Sequence, residues 1–382
     1  MLLNRTIEEL ENLEAINTAK EIHQQPRKWR ELAQSLVEQK AEIEAFVNKI
    51  GKPDLRVILT GAGTSEFAGT ALALHLDKKC RFTVESIATT DLVSNPEEHL
   101  DASRPTLLVS LARSGNSPES LASKELADQC IDQIYHLILT CNKDGALAKS
   151  CKGNDNELCI IMPPGTNDLS FAMTSSCTCM QLSALIILSE SIDKCIKQVE
   201  VVASICESQF DEMHKLACNV AALDFERLIY IGSGDLKGTA QEAALKLLEL
   251  SAGKVATYFD SSLSFRHGPK FTINEKAVVI HMLSPAAYTN LYDVDLANEL
   301  IADDVAMKVV TLSTCPTEKF SSPSLIFDIP NLAPVWANFP YLLFAQLLGF
   351  EKSIERGLSP DNPCPSGEVN RVVQGVIIHK YN

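Results

Sequence analysis

A chain of 382 residues is long enough for two or three domains, each burying its own core. It is 46% hydrophobic and 22% charged, which excludes a largely disordered chain. With 34 basic against 49 acidic residues the net charge is −15, and no basic run offsets it, which argues against nucleic acid or an anionic membrane surface as a partner. No apolar stretch approaches the roughly 20 residues needed to cross a bilayer. The start, MLLNRTIEELENLEA, lacks the basic-then-apolar pattern of an export signal, so the expected location is the cytoplasm. The 12 cysteines are scattered without a C-x-x-C pair. That fits small buried thiols in a reducing compartment better than disulfides or zinc, and no metal site is expected.

Ile7, Leu10, Leu13 and Ile16 recur at helical spacing, and a second helix carries Leu32, Leu36, Ile43 and Val47 up to Gly51. The pattern then changes. Residues 56–60 read as a short apolar strand, followed by Gly61-Ala62-Gly63-Thr64-Ser65 and a helix over 67–76. Further strands are predicted at 81–84, 106–110, 134–140 and 158–161, with helices between several of them, which implies a parallel sheet covered on both faces. A helix over 173–191 closes this half, and a helix over 192–222 leads into the next. There a strand at 228–231 runs into Gly232-Ser233-Gly234 and a helix over 238–251, then strands at 277–283, 308–312 and 325–329. The two Gly-x-Gly turns stand 171 residues apart (232 − 61), which reads as a duplicated α/β module. The expected fold is α/β: an N-terminal helical segment over 1–34 and two modules, each a parallel sheet flanked by helices, over 35–195 and 205–382. A dinucleotide-binding fold is the rival. Its third glycine would fall on Glu66 in the first turn and Lys237 in the second, and Glu85 could serve as its ribose-binding acid.

Three turns carry hydroxyls at a strand end or helix start. Thr64 and Ser65 follow the first strand. Ser114 and Ser117, with Arg113 beside them, follow the strand at 106–110. Thr174 and Ser175 open a later helix. Each is either a phosphate receptor built on helix N-terminal amides or an ordinary cap. Glu242, Lys246 and Glu249 lie at i, i+4 and i+7 on one helix face, either a catalytic set or a solvated ion-pair stripe. His267, between Arg266 and Gly268-Pro269, is a loop histidine and therefore a titrating candidate.

The segments GAGTS, LARSGNSPES, ALKLLEL, FRHGP and DNPCPSGEVNRVV together resemble the tandem sugar-isomerase (SIS) domain family. The resemblance runs from about residue 35 onward and is nearest the AgaS-type galactosamine-6-phosphate deaminase/isomerases. It implies a phosphate held by Thr64, Ser65, Ser114 and Ser117, with Arg113 adding charge where Ala112 lacks the family's hydroxyl. It implies Glu249 as the base that moves a proton between C2 and C1, Lys246 as a stabiliser of the enolic intermediate, and His267 as the ring-opening group. Arg371 stands nearest the lysine that the isomerase half of glucosamine-6-phosphate synthase carries near its C-terminus, and Thr174 and Ser175 are additional candidate substrate contacts. The implied reaction takes galactosamine 6-phosphate and water to tagatose 6-phosphate and ammonia without a cofactor, in a homodimer whose His267 reaches the neighbouring site. An aldose–ketose isomerase on another hexose or hexosamine 6-phosphate, a non-catalytic sugar-phosphate sensor and a nucleotide-dependent oxidoreductase are the alternatives.

Overall fold

Among the residues described by the computed structural model, which are all but 53, 80–81, 152, 316–319, 330 and 374, ten strands form two five-stranded sheets. The first contains β1 (Arg56–Thr60), β2 (Thr83–Ser86), β3 (Thr106–Ala112), β4 (Ile134–Thr140) and β5 (Glu157–Ile161), in the order β2-β1-β3-β4-β5. The second contains β6 (Arg227–Gly232), β7 (Ala256–Asp260), β8 (Ala277–Met282), β9 (Lys308–Ser313) and β10 (Ser324–Ile326), in the order β10-β9-β8-β6-β7. All the pairings are parallel. Numbered within its own sheet, each order reads 2-1-3-4-5, so strand order reverses beside the first strand, where open α/β sheets bind ligands. The 3-2-1-4-5-6 order of a dinucleotide fold is absent from both sheets, and Glu85 is engaged by Arg56 at 2.6 Å.

Every residue of β3 and β8 is buried, which is why both read as mainly apolar runs, interrupted only by Thr106 and Ser110 in β3 and His281 in β8. Ile58, Leu92, Leu108, Ala127 and Ile131 pack together on the first sheet. Ile229, Ile231, Val279, Leu296, Leu300 and Val309 belong to the corresponding cluster on the second. Each fully buried Leu or Ile contributes roughly 1.5–3 kcal/mol relative to exposure. Among the described residues no helix is long and apolar enough to cross a membrane.

Packing divides the chain into two compact units. One holds the first sheet and comprises Arg27–Asp168, Met173–Val199 and Ser366–Asn382; the other holds the second sheet and comprises Met1–Pro26, Leu169–Ala172 and Glu200–Pro365. This division departs from the boundaries 1–34, 35–195 and 205–382 at both ends. The N-terminus joins the second sheet's unit because Arg5 donates two hydrogen bonds to Glu351, at 2.7 and 2.6 Å, and Asp361 accepts the amides of Asn17 and Thr18. The tail over 366–382 joins the first sheet's unit through Arg371, described below.

Other differences are local. Strand β7 was not expected: Tyr258 and Phe259 on it are partly exposed, so it carries no apolar run. Arg81, which opened the expected strand at 81–84, lies outside the described residues, and β2 runs over Thr83–Ser86. The expected helix over 192–222 is two, Ile192–Ser208 and Phe210–Ala221. The helices after β1 and β6 start at Thr64 and Asp235, three residues earlier than their sequences suggest.

Candidate active site

At the C-terminal edge of the first sheet, a Cβ on Gly61 would lie 2.4 Å from that of Ser65. Only glycine lets the helix Thr64–Lys79 turn back so closely after β1, and Gly63 takes φ +55°. Thr64 and Ser65 are buried in the first turn of that helix, and Ser65 Oγ lies 3.9 Å from the weak acceptor Met173 Sδ. The loop after β3 is shaped by Gly115 at φ +62°. Ser114 Oγ accepts the amide of Asn116 at 3.3 Å, and the Ser114 carbonyl accepts from Asn142 at 2.9 Å. Strands β1 and β3 are neighbours with Thr60 opposite Ser110, so the structure brings both turns to one edge. Ser117 is instead the N-cap of the helix Pro118–Cys130, its Oγ accepting the amide of Ser120 at 3.3 Å.

Arg113 and Arg371 are organised by the tail. Arg113 Nη2 donates to the Arg371 carbonyl at 2.6 Å, and Arg371 Nε donates to the Asp168 carbonyl at 2.8 Å. The Arg371 guanidinium also reaches Asn167 Oδ1 at 3.2 Å. The third hydroxyl cluster already holds an anion of the chain's own. The Asp168 carboxylate accepts the amides of Thr174 and Ser176 at 2.8 and 2.9 Å and the Ser176 hydroxyl at 2.5 Å, at the start of the helix Ser175–Ile187. Burial pushes the Asp168 carboxyl up, opposed by those bonds and by the charge of Arg113. Ser175 is buried in the same turn.

The sequence reading passed over Thr60, Ser110 and Thr89. Their buried hydroxyls make no hydrogen bond among the described residues, and the Thr89 amide donates to the Gly61 carbonyl at 2.7 Å. Burying a hydroxyl unpaired is costly, so this edge suits a polar occupant. Thr60, a hydroxyl residue ending the apolar run of β1, and Ser110 within the mainly apolar β3 were the available signals; Thr89, the first residue of the helix Thr89–Ser94, gave none.

In the other unit, the helix Asp235–Leu250 places Lys246 at 0% side-chain exposure, which rules out a solvated stripe. Lys246 Nζ donates to Glu249 and stands 3.4 Å from Glu242 Oε1, whose side chain is 2% exposed. Glu249 keeps 22% exposure, so a carboxylate oriented by a buried ammonium faces outward. His267 is exposed, between the helix Ser262–Phe265 and the short 3-10 turn Pro269–Thr272, and Gly268 takes φ +119°. Its ring makes no hydrogen bond among the described residues. Arg266 and Lys270 on either side pair with Glu299, which anchors the loop while leaving its tip outward. Among the described residues one donor set has metal-like spacing, His214, Cys218 and Glu351 within 4.8 Å. Glu351 there is already bridged by Arg5, and His214 Nε2 lies 2.7 Å from its Oε1.

The SIS domain family matches residues 49–188. A D-galactosamine-6-phosphate deaminase AgaS from Shewanella sp. strain ANA-3 is 42% identical over 98% of this chain and 94% of its own length. A solved structure from Clostridium novyi superposes with a TM-score of 0.96 at 39% identity, covering 100% of this chain and 99% of that one. The structure of tagatose-6-phosphate ketose/aldose isomerase from Escherichia coli gives 0.88 at 37% identity over 96% of each chain. This chain belongs to the SIS-domain family, within its AgaS-type D-galactosamine-6-phosphate deaminases.

Proposed function

We propose that the protein converts D-galactosamine 6-phosphate and water to D-tagatose 6-phosphate and ammonia. The observation that carries this reading is Glu249, a partly exposed carboxylate held by a fully buried lysine, in a chain about 40% identical to deaminases along nearly its whole length. The phosphate is assigned to Thr64, Ser65 and Ser114, with Arg113 adding positive charge. Its binding energy positions C1 and C2 for reaction. His267 moves a proton between the ring oxygen and O1, opening the pyranose to the aldehyde. Glu249 removes the proton from C2, giving an enolic C1–C2 double bond that still bears the amine, and returns it to C1. Lys246 stabilises the developing negative charge. The product of that transfer is an imine at C2, and water hydrolyses it to the ketone and ammonia.

A homodimer completes the proposal. Beside the exposed His267, Phe271 is 91% exposed and Leu263 50%, a pairing of apolar side chains and catalytic loop that suits coverage by a second copy. The cytoplasm is the proposed location, since the described cysteines are all unpaired thiols. The test is ammonia release across a panel of hexosamine 6-phosphates, with galactosamine 6-phosphate expected to give the highest kcat/KM. Ketose formation from hexose 6-phosphates with no amino substrate turned over would instead favour the simple isomerisation for which the Escherichia coli structure is named.

A further inference from the structure

The two sheets can be compared residue by residue. Arg56 pairs with Thr106 and Arg227 with Ala277, so the 171-residue offset between the Gly turns also holds across the neighbouring strands (227 − 56 and 277 − 106). The turn geometry repeats too. Gly63 and Gly234 both take positive φ, and a Cβ on Gly232 would meet Leu236 as one on Gly61 meets Ser65.

What occupies the C-terminal edge differs. In the second sheet Asp293, fully buried on the helix Ala287–Asp303, sends its carboxylate to that edge. Oδ1 accepts the hydroxyls of Ser233 at 2.7 Å and Ser262 at 2.5 Å, and Oδ2 accepts the amide of Ser284 at 2.9 Å. Those donors come from the turn after β6, the segment after β7 and the loop after β8. Since Ser262 spends its proton on Asp293, the 3.0 Å contact from His281 Nε2 to Ser262 Oγ is a donation by the imidazole. Serine, histidine and aspartate meet here without forming a hydrolytic triad: the carboxylate engages the serine rather than His281 Nδ1, and all three are fully buried. In the first sheet the register sets Ala62, Thr89 and Arg113 at the places of Ser233, Ser262 and Ser284, and the edge's buried hydroxyls Thr60, Thr89 and Ser110 make no hydrogen bond among the described residues. The helix facing them carries Leu121, Ala122, Ser123 and Lys124 over the stretch that corresponds to Asp293, with no carboxylate.

We propose that the edge of the second sheet is an anion cradle filled by the chain's own Asp293 carboxylate, that each chain therefore holds a single phosphate site, at the first sheet, and that removing the carboxylate opens the cradle to a phosphate-class anion. The single-site count rests on the phosphate assignment made above. A second guard is Asp235, which stands where the first module has Thr64 and sets a negative charge in the first turn of its helix. Both have to change for an external anion to enter.

The test titrates inorganic phosphate, by calorimetry, into the wild type and into Asp293→Ala/Asp235→Thr, each with and without Ser114→Ala. The wild type is expected to bind one equivalent per chain, lost in Ser114→Ala. The double variant is expected to bind two and to keep one when Ser114 is also replaced. Two equivalents in the wild type overturn the proposal, as does no gain in a double variant shown to be folded by circular dichroism. Should the double variant not fold, the wild-type count decides: one equivalent sensitive to Ser114 supports the proposal, and two overturn it. A wild type that binds none counts against the phosphate assignment of the first sheet. The gain in the double variant is then still readable, so the two failures are distinguishable.

Discussion

At the first sheet Gly61 and Gly63 are followed by Thr64 and Ser65; at the second, Gly232 and Gly234 are followed by Asp235 and Leu236. The backbone device is shared, down to the positive φ and the close approach of the fourth residue after the glycine. The chemistry is not. One edge holds Thr60, Thr89 and Ser110, whose hydroxyls make no hydrogen bond among the described residues; the other holds a carboxylate already engaged by donors of its own chain. The second sheet's unit instead presents Glu249, on the helix that leaves this same turn. Two modules of one topology thus take different assignments: the edge of the first sheet is assigned to grip, and the far end of the second module's helix Asp235–Leu250, about 20 Å along from its turn, is assigned to proton transfer.

The largest effect expected from breaking this division is at Glu249. Glu249→Gln keeps the shape and removes the base, so kcat should fall by about 10²–10⁴-fold or more while the dissociation constant for substrate stays nearly unchanged. The matched control is Lys78, at the same offset on the first module's helix and exposed; Lys78→Met should leave kcat within about twofold. A Glu249 variant that keeps most of its kcat would dissolve the assignment. Next comes the ammonium behind it. Lys246→Met removes one member of a buried charge cluster and should cost roughly 3–5 kcal/mol in urea unfolding. Smaller again, Ser65→Ala and Ser114→Ala should each weaken sugar-phosphate binding by roughly 1.5–3 kcal/mol, or about 10- to 150-fold. Ser233→Ala, at the second edge, should leave that affinity unchanged. Equal losses at both edges, read by calorimetry, would mean that they do not differ in function.

The parallel architecture was legible because buried parallel strands read as nearly continuous apolar runs, as β3, β4 and β8 do with only an isolated Ser or His inside each. Strand β7 was not, because an edge strand with Tyr258 and Phe259 partly exposed shows neither a run nor clean alternation. Lys246 and Glu249 were visible as a helical spacing, but a spacing does not distinguish a buried ion cluster from a surface one; only the 0% exposure of Lys246 does. Ser117 read as a phosphate ligand ahead of a cap and Thr174 as a cap ahead of a ligand; here Ser117 caps its helix and the Asp168 carboxylate accepts the amide of Thr174. Asp168, Asp293 and the tail contacts of Arg371 were beyond the sequence, since each depends on partners brought together only by the fold.

The smallest expected effect concerns the cradle's own titration and applies to the second edge alone, since its counterpart at the first, Ser110, has no proton to exchange in this range. His281 is buried in the second cradle with Ser262, Asp293 and the charge of Arg266 around it. Burial pulls its imidazole down to about 4, against the attraction of Asp293 and with slight help from Arg266. The unfolded chain binds that proton near pH 6.5 while the folded chain refuses it, so the stability this group contributes is present above pH 6.5 and is lost as pH falls toward 4. His214 does the opposite in the same unit. Burial would lower it, but its contacts with Cys218 and Glu351 outweigh that and raise it to about 9. Its contribution is full below pH 6.5 and fades as pH climbs through 9. Stability measured by urea unfolding should therefore peak near pH 6.5, with limbs of order 1–3 kcal/mol on each side. His281→Gln should flatten only the acid limb and His214→Gln only the alkaline one. An acid limb of unchanged depth in His281→Gln would show that the cradle is not its source.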